Sequence, residues 1–431
     1  MSGLSIDHGG AISVDPAALR AVGSRMDAAT ADYEVAVGAL TRAHRIIVDT
    51  PGFSAQVDTV GLWAAGRGVA RLLTECRESA AGTLLMADAY EYVELMVRAQ
   101  WLAPTDAAAA QALWLRMERL AAADPRVPQT AAELIAHWQG RRFDGLEPPL
   151  IPGIVFGVPV WLAALLGIGA GRGTVRPGAA LLGTSDPVTV TPVATTSPRT
   201  APTSIAGSLS RMPTATGAQI AVEKYSYADG RTKFVAYIVG TRTGAAGGSE
   251  PWDMKSNTEL YTGQASASYR ATLDALAAAG AEPGDEVDIV AHSQAGMIAA
   301  YLSASSEFDV QVQISAGSPT QVIADEDQLV VGLVHTDDPV AALAGGGTPG
   351  GVGSPDSFTV TREGDPDAGL DYSPMDAHGL ETYIQTAKMV DASGDPRVAA
   401  LGDFWAELGE ADTIERTEYR AERTEPEEGG G

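Results

Sequence analysis

From Gln219 to Met389 short β-branched runs alternate with amphipathic stretches, and this alternation restricts the fold more than any other feature of the chain. Gln219–Tyr225 and Thr232–Val239 flank Asp229-Gly230 and predict a β-hairpin. Ala265–Ala279, closed by Gly280, predicts a helix. Glu286–Val290 predicts a strand, Ala295–Ser303 a helix, Val310–Ser315 and Leu329–Val334 strands, and Gly379–Met389 a last helix. Strands separated by helices must cross over rather than turn back. The expected class is therefore α/β, with a mostly parallel sheet covered on both faces.

Residues 1–147 follow a different period. Asp15-Pro16 forms a helix start, because proline's missing N–H costs nothing in the first turn. Apolar positions at Leu19, Val22, Met26, Tyr33, Val37, Leu40 and Ile47 precede a break at Thr50-Pro51-Gly52-Phe53. The stripe resumes at Leu62, Val69, Leu72, Cys76, Met86, Tyr90 and Val93. Two long helices joined by a Pro-Gly turn fold back as an antiparallel hairpin. Thr105 is expected to cap a third helix, and Thr130 with Glu133 to form a capping box for a fourth.

Between these halves lie two segments of other character. Residues 148–171 are apolar and uncharged, long enough to span a bilayer but interrupted by Pro152, Pro159 and several glycines. Two readings stay open there, a membrane-contacting segment and a buried connector. Residues 172–213 are rich in Thr, Pro, Gly, Ser and Ala and read as a linker, with a short strand at Val188–Val193. The α/β domain then covers 214–403. Residues 404–431 read as a solvated acidic tail, since Glu407–Glu428 holds nine acids against three arginines.

Net charge is −26, which argues against a nucleic-acid partner, because phosphate binding needs a basic surface. Cys76 is the single cysteine, so no intrachain disulfide and no cysteine metal cluster can form. Met1–Gly10 lacks a basic region followed by an apolar run, so no Sec signal peptide is expected. Asp325-Glu326-Asp327 reads as a solvated loop rather than a metal site, and no cofactor is expected. Pro251-Trp252-Asp253 reads either as part of a lid or as a packed loop.

Chemistry concentrates in Val287–Gly296, where a strand, a tight turn with Ser293 at its apex and a helix follow one another. Strand and helix backbones nearly touch at such an elbow, so small residues are needed two before and two after the serine. Ala291 and Ala295 meet that need. A serine hydroxyl becomes a nucleophile only when a neutral imidazole takes its proton and a carboxylate orients the imidazole. The required chain order is serine, acid, histidine. Of six histidines, only His378 stands late enough and before a helix. Asp337-Asp338 follows the Leu329–Val334 strand at its carboxyl end, where catalytic groups collect in open sheets. The oxyanion needs two backbone donors. Gln294, after the nucleophile, and the Gly240-Thr241 loop are the candidates.

Over roughly Gln219–Met389 these residues resemble the fungal-type (class three) lipases and their bacterial relatives. The resemblance rests on Gly240-Thr241, Ala291-His292-Ser293, Gly317-Ser318-Pro319, His335-Thr336-Asp337-Asp338 and Ala377-His378. Alanine stands at Ala295 where glycine is usual. The resemblance implies an α/β-hydrolase-like fold, hydrolysis of carboxylic esters or lipids, Thr241 in the oxyanion loop, and Asp338 rather than Asp337 as the acid. The first half is similar to WXG-type substrates of type VII secretion, through its hairpin and Tyr90-x-x-x-Glu94, although Pro51-Gly52-Phe53 replaces the usual turn. That similarity implies export to the cell envelope or beyond without a Sec signal, with a cytoplasmic location as the alternative, and a helical partner for the hairpin. The competing reading is a non-catalytic binding or secretion-substrate protein with a degenerate hydrolase fold.

Overall fold

A proline in the first helical turn leaves no donor unsatisfied, and helix α1 (Pro16–Asp49) starts on Pro16. The structure, a computed structural model, describes residues 3–7, 16–103, 106–141, 154–155, 158–159, 173–305, 307–345, 352–365 and 375–424. The chain divides into two compact units, Val14–Ala136 and Met1–Ser13 with His137–Gly431.

In the helical unit α1 runs antiparallel to α2 (Thr59–Leu102). Arg20 bonds Asp88 at 2.7 Å, and Cys76 Sγ lies 3.4 Å from the Met26 carbonyl. At Gly23 a Cβ would stand 2.9 Å from Leu84, so glycine lets the two helices approach. Asp58 caps α2 by accepting from the Gly61 N–H at 2.8 Å. Helices α3 (Ala107–Ala123) and α4 (Val127–Arg141) follow. Both predicted caps need correction. Asp106 caps α3, accepting from Ala108 and Ala109, whereas Thr105 lies outside the described residues. Thr130 sits inside α4, because the Val127 N–H already bonds the Asp124 carbonyl and the helix begins a turn earlier.

The second unit is built on a nine-stranded mixed sheet with helices on both faces, an α/β class of architecture. Its strands are β1 (Ser5–Asp7), β5 (Val188–Thr196), β6 (Ile220–Ser226), β7 (Thr232–Ile238), β8 (Val287–His292), β9 (Val312–Ala316), β11 (Leu329–His335), β12 (Phe358–Arg362) and β13 (Thr413–Arg423). Their order is β1-β12-β11-β9-β8-β7-β6-β13-β5. The five strands from β12 to β7 are parallel, and the flanking pairs are antiparallel. Side chains alternate between two cores, as the twofold strand period requires. Phe234, Ala236, Ile238 and Ile289 face α7 (Ala267–Ala278) and α8 (Ala295–Ala304). Val235, Tyr237, Val290 and Ile314 face α5 (Ile205–Leu209), α9 (Leu380–Asp391) and α10 (Pro396–Gly409). Helix α6 (Met254–Tyr261) lies between β7 and α7 in the chain. Small parallel strands β4 (Thr174–Val175) and β10 (Gln321–Val322) pair apart from the main sheet.

Three predicted boundaries are corrected here. The 172–213 stretch is no linker: β4, β5 and α5 all lie in it, and Ile205 and Leu209 are fully buried. Its Val-Thr alternation looks polar because β5 is an edge strand with one wet face, the place where Pro192 is tolerated. The 404–431 stretch is no solvated tail through Thr424, since β13 is inserted between β6 and β5. Its Ile414, Tyr419 and Ala421 are buried, while its charges pair on the sheet, as Arg416 does with Glu223 and Glu418. Finally, β1 places residues from before the helical hairpin in the sheet, so the boundary at 147 does not separate two consecutive domains. The apolar 148–171 segment lies outside the described residues, save a short antiparallel pair, β2 (Ile154–Val155) with β3 (Val158–Pro159). Among the described residues no helix is long and apolar enough to cross a membrane.

Candidate active site

Ser293 is the one non-glycine residue with positive φ (57°) among the described residues. Left-handed backbone is costly for a serine, on the order of 1–3 kcal/mol, and survives only where neighbours impose it. Here its N–H donates to the Ala316 carbonyl at 2.9 Å and its carbonyl accepts from Gly296 at 2.8 Å. The turn from β8 into α8 leaves no spare volume. A Cβ on Gly296 would come within 2.3 Å of Ser318, and one on Gly240 within 2.6 Å of the Ser293 Cβ. Ala291 and Ala295 are both fully buried. The close glycine approach thus falls on Gly296, one residue beyond Ala295.

The Ser293 hydroxyl meets His378 Nε2 at 2.7 Å, and His378 Nδ1 meets Asp338 Oδ2 at 2.7 Å. Asp338 Oδ2 also accepts from the Tyr383 hydroxyl at 2.7 Å, and its Oδ1 accepts from the Val340 N–H at 2.7 Å. Burial alone would raise the Asp338 carboxyl, but His378 and the Tyr383 and Val340 donors hold it below its ordinary value. Tyr383 is itself pushed well up by burial and by Asp338, so it stays a hydroxyl donor. Asp337 does not join this chain. Its carboxylate accepts from the Gly364 N–H at 2.7 Å and the Asp365 N–H at 3.0 Å.

Around the serine the two oxyanion candidates take different positions. Gln294 opens α8, so its amide belongs to the electropositive end of a helix. Its side chain donates to the Asp253 carbonyl at 3.1 Å. Thr241 follows β7, and its Oγ1 accepts from Asn257 Nδ2 at 2.9 Å. Among the described residues neither backbone N–H has an intramolecular acceptor, which leaves both able to receive a developing negative charge.

Residues that sequence reasoning did not assign complete the frame. His292 donates through Nε2 to the His378 carbonyl at 3.0 Å and stacks on the His378 ring at 5.1 Å between centres. Burial, then the neighbouring His378, pushes it down to about 4, so it is neutral at pH 7. His335 bonds the adjacent Ala377 carbonyl at 2.6 Å and stacks flat on Tyr383 at 3.8 Å. Two imidazoles therefore pin consecutive carbonyls at the base of the His378 side chain. Gly317, at φ 61°, admits the close passage of Tyr383, His378 and Asp338, which accounts for glycine in the Gly-Ser-Pro stretch. Arg423 of β13 reaches both oxygens of Asp253 at 2.9 Å and so anchors the loop ahead of α6. Trp252 in that loop is fully buried, which decides for the packed reading over the lid. The sequence marked His292, His335, Gly317 and Trp252 within motifs or loops without giving them these roles, and nothing in it pointed to Tyr383 or Arg423. Compared with protein-family models, curated proteins and solved structures, the chain finds no match.

Proposed function

We propose that the protein is a serine hydrolase of α/β-hydrolase type that cleaves carboxylic esters, lipids among them, by acyl transfer through Ser293. The observation that carries this reading is the unbroken relay from the Ser293 hydroxyl through His378 to a buried Asp338, with each link at 2.7 Å. In this mechanism His378 Nε2 removes the hydroxyl proton as Ser293 Oγ attacks the ester carbonyl. The tetrahedral oxyanion is held by the N–H groups of Thr241 and Gln294. His378 then returns the proton to the departing alcohol, leaving an acyl-serine. Water, deprotonated by the same imidazole, releases the acid and restores the serine. Asp338 fixes the Nδ1–H tautomer and stabilises the transient imidazolium without taking the proton. No metal or cofactor enters any step.

A fluorophosphonate probe on the full chain tests this. Rapid labelling that is lost in Ser293→Ala supports the reading. Labelling no faster than that of an ordinary surface serine would favour the non-catalytic alternative. On the sequence resemblance we further propose export by a type VII-like route and a helical partner for the hairpin, and on the uncharged apolar composition of 148–171 we propose membrane contact by that segment.

A further inference from the structure

We propose that the turn end of the α1–α2 hairpin docks on an anionic lipid bilayer. Ile46, Val48, Phe53, Val57, Val60 and Trp63 are all at least two-fifths exposed, Val60 at 74% and Trp63 at 51%. Every residue from Pro51 to Asp58 is exposed as well. A cluster of this kind on a soluble surface marks a contact site rather than a folding defect. Its position matters. Val22, Val35 and Leu72, the other large apolar side chains exposed on these two helices, are scattered along them. End-on insertion into a bilayer needs an apolar tip, and the exposed apolar side chains concentrate at the turn.

Charge selects the partner. Residues 40–73 carry Arg42, Arg45, Arg67 and Arg71 against Asp49 and Asp58, and Arg71 pairs with Glu75 at 3.5 Å, so Arg42, Arg45 and Arg67 are the cations nearest the turn. The remainder of the hairpin, residues 16–39 and 74–102, carries eight acids against four arginines. In a protein of net charge −26 the tip is thus a local basic island. Arg67 lies 4.9 Å from the centre of the Trp63 ring, a cation beside an amphipathic aromatic. Apolar side chains ringed by arginines fit the boundary between acyl chains and acidic headgroups.

Flotation of the full chain with phosphatidylcholine vesicles, with and without phosphatidylglycerol, tests the proposal independently of any activity at Ser293. Binding should require phosphatidylglycerol and weaken as salt rises. Val60→Asp with Trp63→Asp should lower the bound fraction about tenfold or more. Arg42→Glu with Arg45→Glu should do the same, since each juxtamembrane arginine contributes about fivefold. These side chains are exposed, and unchanged circular dichroism will show that the fold survives. Binding equal to wild type in both double variants overturns the proposal and assigns lipid contact elsewhere, to 148–171 first of all. Absence of flotation, with Trp63-dependent self-association in sedimentation instead, overturns it in favour of a second copy.

Discussion

The two units treat charge in different ways. In the helical unit most ion pairs lie near water, as between Arg77 and Glu34, each about half exposed. Its one buried acid among the described residues, Glu91, reaches Arg20 and Arg116, which are themselves partly exposed. Its core mixes Ala80, Ala87, Ala89, Ala99, Ala110 and Ala131 with Val93, Leu95, Val97, Met117 and Val127, and no buried aromatic side chain is among its described residues. The sheet unit keeps exposed pairs too, such as Arg231 with Asp229, but it also buries several charges against partners. Glu223 is fully buried, yet it bonds Arg211, Arg416, Tyr225 and Tyr237. Lys233 is buried among Glu286, Asp288 and Glu407. A buried polar group holds one geometry because every alternative leaves it unpaired, which is what a catalytic relay requires. A hairpin with wet ion pairs and apolar exposure has a surface suited to partners but little to fix a reacting atom.

The sharpest way to break that contrast is at the relay. Ser293→Ala and His378→Ala should each lower kcat/KM on p-nitrophenyl esters by about four to six orders of magnitude. Asp338→Asn should cost about 10⁴-fold through the wrong imidazole tautomer. Asp337→Asn should cost less than about tenfold, because that side chain bonds the Gly364 and Asp365 amides and not His378. A crippled Asp337→Asn beside an active Asp338→Asn would reverse the assignment of the acid.

Next in size is the buried network. Glu223→Ala strands Arg211 and Arg416 on the sheet and should destabilise the unit by about 3–5 kcal/mol in urea unfolding. A loss under about 1 kcal/mol would mean that these charges are effectively solvated.

Acid should also separate the groups at the site. The folded-state value for His292 is about 4, below its unfolded 6.5. The unfolded chain then takes the proton first, so this contribution is present above pH 6.5 and is lost as pH falls towards 4. Allowing for partial exposure, it amounts to about 2 kcal/mol. Asp288, pushed up to about 7 by burial, works in the opposite sense, losing stability as pH rises from its unfolded 3.8 towards 7. The readout is therefore the difference between wild type and His292→Asn across pH 4–7, and a variant that tracks wild type in parallel would exclude His292 as the source.

The smallest effect belongs to the hairpin. Glu34→Ala removes an exposed pair and should shift unfolding of the helical unit by less than about 0.5 kcal/mol. A loss comparable to that of Glu223→Ala would erase the contrast between the units.

Much of this was legible in the residues alone. The long apolar stripes required two helices, the Pro-Gly break required their reversal, and β-branched runs between helices required a parallel sheet. Ser293, the Asp337-Asp338 pair and His378 stood out through a nucleophile elbow, an acid at a strand end and a late histidine, and only the resemblance to fungal-type lipases singled out Asp338. Part of β5 is legible as a short strand at Val188–Val193, whereas β1 and β13 carry no such signature. TIERTEYRAER has the composition of a disordered tail, and becomes a strand only because β6 and β5 supply both hydrogen-bonded edges and Glu223 takes up Arg416. The same holds for His292, His335 and Tyr383. Each is an ordinary side chain until the sheet brings β8, β11 and α9 together and sets their polar atoms against the backbone around His378, the carboxylate of Asp338 and, for His335, the Thr386 hydroxyl. Local signals therefore indicated the long helices, four of the five parallel strands and three candidate side chains, but not β12, α5, α6 or α10. The edges of the sheet and the groups that hold His378 in place were decided by long-range pairing, because a hydrogen bond between residues far apart in the chain leaves no trace in the sequence around either one.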